Sequence, residues 1–257
     1  MVNATFTVEN HAAYVTIERE EKLNAVDSET KRAIIDRLDA YSDDDGVRAV
    51  VFQSAGEKAF SAGGDVQEIP EVDYSLKYFT ESWEELFRTM RSLEMPTIAK
   101  VDGITLGGGF DMMLRSDFVV AADDARIGQP EVDLGIVNHF SPPMLLQEVG
   151  LRKTMELMLT GETISGAEAA DIGLVTRSVP RAQLDAEVDD LVETLVNKSP
   201  RIVAKLKEGI YTSTNMAPDA AERYLETVSL DSAREDPDYR EGVDAHLEDR
   251  EPEWTVE

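Results

Sequence analysis

Residues 96–135 read PTIAKVDGITLGGGFDMMLRSDFVVAADDARIGQPEVDLG, and the rest of the chain is organised around them. Thr97 to Val101 is an apolar run of strand length. Gly107-Gly108-Gly109 is a glycine turn, and Phe110-Asp111-Met112-Met113-Leu114 has helix-forming character. Strand, glycine turn and helix start together can present backbone N–H groups to an anion. Glycine permits close approach, and the helix N-terminus carries partial positive charge. One carboxylate, Asp111, falls just inside that helix start. A second, Glu131, follows the breaker Gly128-Gln129-Pro130. The stretch predicts an oxyanion-binding backbone flanked by two carboxylates.

Working outward from it, strands alternate with helices. Thr5 to Val8 and Tyr14 to Arg19 alternate as a hairpin turned at Asn10-His11, and Asp27-Ser28 can cap a helix over 29–42 whose buried face is Ile34, Ile35 and Leu38. Val47 to Gln53 is a compact strand. It leads into a small-residue loop, 54–65, that ends Gly63-Gly64-Asp65 and can expose N–H groups much as the later triplet does. Trp83, Leu86, Phe87, Met90 and Leu93 sit at helical spacing within 73–93 and read as core. Phe118 to Ala122, Arg126 to Gly128 and Leu174 to Val179 read as further strands. Ser141 can cap a helix opened by Pro142-Pro143, Arg152 to Thr160 forms another, and Ser165 to Glu168 has the pattern of a capping box. Four helices, 184–197, 200–212, 218–232 and 237–250, end the chain. This order predicts a layered α/β fold, without the G-x-G-x-x-G or Walker loop of a nucleotide binder.

Composition narrows the function classes. The 257 residues contain no cysteine, which excludes disulfides and thiolate chemistry, and the three scattered histidines give no metal-ligand cluster. No apolar run reaches 18 residues and no signal-peptide pattern opens the chain, so the expectation is a cytoplasmic protein with no membrane span. Asp and Glu number 52 against 25 Lys and Arg, a formal charge of −27. The acids are spread along a chain that keeps its hydrophobic periodicity, which argues for a folded protein adapted to high salt. No basic stripe is available to meet nucleic-acid phosphates.

Several motifs occur together and in order: Lys58-Ala-Phe-Ser-Ala-Gly-Gly-Asp65, Pro96 through Gly109, Ser116-Asp-Phe-Val-Val-Ala121, Gly128-Gln-Pro-Glu131, Leu159-Thr-Gly161, Ala169 through Val175, and Glu241-Gly242. With them the chain resembles the crotonase superfamily, the enoyl-CoA hydratase/isomerase family, over nearly its whole length. The resemblance implies a crotonase-like spiral of β-β-α units over 1–195, which holds the CoA and acyl site. It also implies a C-terminal helical region, 196–257, that makes trimer contacts in a homotrimer or dimer of trimers. The implied substrate is an acyl-CoA thioester, with coenzyme A carried as part of the substrate and no other cofactor. The implied reaction is hydration of a 2-enoyl-CoA to a 3-hydroxyacyl-CoA. Isomerisation, decarboxylation or thioester hydrolysis are alternatives on the same scaffold, and non-catalytic acyl-CoA binding is an alternative of another class.

The family's oxyanion hole maps to the N–H groups of Gly64 and Gly108, and its two glutamates to Asp111 and Glu131. Lys22, Ala62, Asp65 and Val66 map to CoA contacts. Two departures stand out. Asp111 is one methylene shorter than glutamate, which withdraws its carboxylate by roughly an ångström. Where hydratases carry a small-residue Pro-Gly-Ala-Gly-Gly-like loop, this chain has Asn138-His139-Phe140-Ser141-Pro142-Pro143. Asn138, His139 and Phe140 are therefore expected beside the acyl pocket, with Phe140 narrowing it. His139 is expected either as an acid or base near neutral pH or as a packed loop residue.

Overall fold

The computed structural model describes residues 1–255. The C-terminal region expected over 196–257 therefore runs two residues beyond what is described here. Among the described residues ten strands alternate with eleven α-helices: β1 (Ala4–Glu9), β2 (Ala12–Ile17), α1 (Ser28–Ser42), β3 (Ala49–Ser54), β4 (Ala59–Ser61), α2 (Glu68–Glu71), α3 (Leu76–Ser92), β5 (Thr97–Val101), β6 (Ile104–Leu106), α4 (Gly108–Leu114), β7 (Phe118–Ala122), β8 (Arg126–Gly128), α5 (Pro142–Glu148), α6 (Gly150–Thr160), β9 (Thr163–Ser165), α7 (Gly166–Asp171), β10 (Arg177–Val179), α8 (Leu184–Val196), α9 (Pro200–Ser213), α10 (Pro218–Glu235) and α11 (Pro237–Leu247).

The strands form two sheets. The larger has the order β1-β2-β3-β5-β7-β10, parallel except for the β1–β2 hairpin. The smaller has the order β4-β6-β8-β9, parallel except for its last pair. Three successive turns of chain each give one strand to the large sheet, the next to the small sheet, and then a helix: β3-β4-α3, β5-β6-α4 and β7-β8-α5. This is the spiral of β-β-α units expected from the sequence. The layers meet over one core of Val, Ile, Leu, Met and Phe side chains in which β3, β5 and β7 are almost wholly buried. Buried parallel strands read as near-continuous apolar runs for that reason.

Local chemistry sets the elements. Asn10 and His11 both take positive φ, 48° and 65°, which tightens the β1–β2 turn. The Asp27 carboxylate accepts from Thr30 N at the start of α1, and Ser165 with Glu168 completes a capping box on α7. Asn24 fastens the loop before α1 to the small sheet, donating to Ala59 O at 2.6 Å and to Ala55 O at 3.1 Å, while Ser61 donates to Asn24 O.

The structure adjusts three expectations. Strand β10 starts at Arg177, with Leu174 and Val175 buried in the turn after α7. Strands β4, β6 and β9 are three residues each, too short for their alternation to stand out from a loop. Ser141 makes no side-chain cap on α5, because its hydroxyl donates to Asp111 Oδ1 instead.

Candidate active site

The loop after β4 and the turn after β6 lie against each other. A Cβ built on Gly63, whose φ is +94°, would stand 2.7 Å from Gly108 N. Only glycine takes such a close approach in a left-handed conformation without strain. The indole of Trp83 closes over both turns. A Cβ on Gly108 would meet its ring at 2.5 Å, and one on Gly64 would meet Phe79 at 2.7 Å and the indole nitrogen at 3.1 Å. Among the described residues, the N–H groups of Gly64 and Gly108 take part in none of the turn and loop hydrogen bonds.

These turns form one wall of a cavity of about 120 Å³. Ala62, Gly64, Val66, Gly107 and Gly108 line it on one side, and Leu76, Phe79, Trp83 and Phe87 of α3 on another. Asp111 and Glu131 stand at its polar end, with Asn138, His139 and Phe140 closing it. Nine of the eleven residues expected at the site thus come together. The other two face elsewhere. The Lys22 ammonium donates to Gln67 Oε1 at 2.7 Å. The buried Asp65 carboxylate pairs with Arg19 at 2.9 Å and accepts from Gln67 N.

The carboxylates differ in their surroundings. Asp111 is 1% exposed. Its Oδ1 accepts from Ser141 Oγ at 2.5 Å and pairs with Arg115 Nη1 at 3.3 Å, one helical turn on, and its Oδ2 accepts from Asn138 Nδ2 at 3.1 Å. Burial pushes its pKa above the ordinary aspartate value, while Arg115 and the hydrogen bonds pull it back. Glu131 is the freer of the two. Its Oε1 accepts from Asn138 Nδ2 at 2.8 Å. Burial raises its pKa too, the Asn138 bond opposes this, and the Asp111 charge adds to the rise.

Gln129 and Ser141 are hydrogen-bonded side chain to side chain. With its oxygen turned to the Ser141 hydroxyl, the Gln129 amide nitrogen reaches Glu131 Oε1 at 2.8 Å and Oε2 at 2.6 Å, and the one hydroxyl hydrogen of Ser141 is then shared between Gln129 and Asp111.

His139 is half exposed at the cavity mouth, with Nε2 3.6 Å from Glu84 Oε1 and its ring 4.0 Å from that of Phe140. Phe140 packs edge-on against Phe87 at 5.1 Å.

Several contributors escaped the sequence reading. Trp83 and Phe87, read as core, also line the cavity, and Leu76 and Phe79 extend the same face of α3 at helical spacing. Arg115 stands four residues after Asp111, a spacing that marks an ion pair once α4 is recognised. Gln129 lies within the Gly128–Glu131 motif but carries no spacing signal of its own, and Ser141 offered only a cap. Among the described residues no group of His, Cys, Asp or Glu is arranged to hold a metal ion, and no helix is long and apolar enough to cross a membrane.

The chain is similar over most of its length to known proteins. The enoyl-CoA hydratase/isomerase family model matches residues 7–257. Carnitinyl-CoA dehydratase of Shigella flexneri is 34% identical over 250 residues, covering 93% of each chain. Short-chain-enoyl-CoA hydratase of Clostridium acetobutylicum is 32% identical over 253 residues, 98% of this chain and 97% of the relative. The crystal structure of enoyl-CoA hydratase from Bacillus anthracis superposes with a TM-score of 0.94 at 26% identity, over 99% of this chain and 100% of that one. With the spiral of β-β-α units complete and these matches running end to end, the chain belongs to the enoyl-CoA hydratase/isomerase family.

Proposed function

We propose that this enzyme adds water across the double bond of a short 2-enoyl-CoA to give the 3-hydroxyacyl-CoA. The observation that carries the reading is the placement of two buried carboxylates, Asp111 and Glu131, at the polar end of one apolar cavity, bridged by a single amide. The thioester carbonyl oxygen accepts from the N–H groups of Gly64 and Gly108, which stabilise the negative charge that develops on it. Asp111, held by three donors, is the ionised base. It takes a proton from water as the water oxygen bonds to C3. Glu131, its pKa raised by burial and by the Asp111 charge, delivers a proton to C2. The proton gained by Asp111 returns to Glu131 before the next turnover, so water and enoyl-CoA combine with no other product. The two relatives carry names for the addition or removal of water at an acyl-CoA, which supports this direction of chemistry over isomerisation, decarboxylation or thioester hydrolysis.

The cavity volume of about 120 Å³ supports a short acyl group. A cavity of roughly 150 Å³ is what benzene needs in a protein interior. Phe140, packed on Phe87, closes the space where a longer chain would run. CoA would enter past Ala62 and Val66, with Lys22 leaving Gln67 to meet a phosphate. The helices after residue 196 would carry the contacts of a homotrimer or dimer of trimers, in the cytoplasm of an organism whose salt screens the −27 charge.

The test is incubation with crotonyl-CoA in concentrated KCl and in dilute buffer, with enoyl absorbance and free thiol followed in parallel. Hydration gives loss of absorbance, no thiol and a product heavier by one water, faster in KCl. Thiol release would replace the reading with hydrolysis. Equal activity and stability in dilute buffer would remove the high-salt reading.

A further inference from the structure

The loop 138–141 does more than border the acyl space. The Asn138 amide has two distinct jobs that fix its orientation. Its oxygen accepts from Phe140 N at 2.8 Å and from Ser141 N at 3.1 Å, capping the turn that enters α5. Its nitrogen is thereby aimed at the carboxylates, where it donates to Asp111 Oδ2 at 3.1 Å and to Glu131 Oε1 at 2.8 Å. An amide nitrogen carries two hydrogens, and here each carboxylate receives one. Those two oxygens can stand no farther apart than the two hydrogen bonds laid end to end. Asp111 sits on α4 and Glu131 on the turn after β8, so Asn138 ties together two elements the backbone does not otherwise join at this point.

We infer that Asn138 is the positioning residue of the reaction, holding the shortened acid Asp111 and Glu131 at a fixed spacing around one water and setting their protonation. This rests on the hydration reading above. The physical case is that a carboxylate one methylene shorter is correctly placed only if something holds it. Ser141, Asn138 and Arg115 hold Asp111 from three directions, and Asn138 alone also holds its partner. The charges acting on the pair are those of Arg115 on Asp111 and of Asp111 on Glu131. The facing surface of α3 contributes the apolar Trp83 and Phe87, and His139 and Glu84 stand 3.6 Å apart at the mouth.

Two substitutions separate the bridge from the loop cap. Asn138→Asp keeps an oxygen for Phe140 N and Ser141 N but has no N–H for the carboxylates, whereas Asn138→Ala loses both functions. The readout is carboxyl 13C NMR of the free enzyme across pH, with the Asp111 and Glu131 signals assigned from Asp111→Asn and Glu131→Gln, alongside kcat and KM for crotonyl-CoA. Losing a donor to the charged form moves both titrations upward, by about one pH unit. In Asn138→Asp, kcat falls about 100-fold while KM stays close to wild type, and the third carboxylate beside the pair lowers the melting temperature at neutral pH by an amount that shrinks as the pH falls. If Asn138→Asp titrates and turns over like wild type and only Asn138→Ala is impaired, Asn138 is a loop cap and the inference is overturned. If wild type hydrates no enoyl-CoA but both titrations still move, the bridge stands and the hydration reading falls.

Discussion

Replacing Arg115 by methionine removes the cation paired with Asp111, a carboxylate that is 1% exposed. Breaking a buried ion pair from one side costs about 3–5 kcal/mol, because the remaining charge is left without compensation. Asp111 keeps its bonds from Ser141 and Asn138, so the lower end, about 3 kcal/mol, is expected. Arg115 also donates to Phe140 O at 3.1 Å and lies 4.2 Å over the Phe87 ring, and loss of these contacts acts in the same direction. The cost depends on pH with a defined sign. Burial raises the folded-state pKa of Asp111 above its ordinary value, so the charged carboxylate penalises the fold only as pH rises through that folded value. Removing Arg115 raises it further. The deficit of Arg115→Met is therefore largest at neutral pH and above, and shrinks toward pH 4, where protonated Asp111 needs no cation. Urea unfolding at several pH values in concentrated KCl measures it, and the double variant Arg115→Met/Asp111→Asn should regain most of the loss. A single variant within about 1 kcal/mol of wild type at neutral pH, or a double variant no better than the single, would refute the reasoning.

Two further outcomes follow from buried groups beside the cavity. Lys31 is fully buried with no hydrogen-bond partner for its ammonium, which lies 4.7 Å from the Trp83 ring and 5.4 Å from that of Phe79. Burial lowers its pKa from 10.5 to about 8, so the charge penalises the fold below pH 8 and the penalty is relieved as pH rises toward 10.5. Lys31→Met should remove that pH dependence and stabilise the protein at pH 7 by up to about 3 kcal/mol, less the cation–π energy it forfeits. A methionine variant less stable than wild type in thermal unfolding at pH 7 would contradict this. Gly108→Ala would place a methyl 2.5 Å from Trp83, itself 3% exposed, and push the Gly108 N–H out of line. The expected loss is about 100-fold in kcat, against about 1–3 kcal/mol of stability, measured by steady-state kinetics and denaturation of the same variant.

How much of this was legible depended on the length and kind of each signal. Strands β5 and β7 are five-residue apolar runs between breakers and were bounded residue for residue. Of the three-residue strands of the small sheet only β8 was read as a strand, and β4, β6 and β9 carry no usable alternation, so the spiral of β-β-α units followed from the family resemblance rather than from periodicity. The carboxylates and glycine turns were readable because residue type alone proposes their chemistry. The side chains that hold them were not. Arg115, Gln129, Ser141 and Asn138 act through hydrogen bonds between segments up to 30 residues apart, and nothing local distinguishes a serine that caps a helix from one that donates to a buried aspartate.

The central claim is that Asp111 and Glu131 together carry the chemistry. Single-turnover hydration of crotonyl-CoA by wild type, Asp111→Asn and Glu131→Gln, with binding of a CoA ester measured in parallel, tests it most directly. The account predicts a fall of at least about 100-fold in the hydration rate of each variant with CoA-ester affinity kept within a few-fold. Either variant hydrating at a rate close to wild type would contradict it.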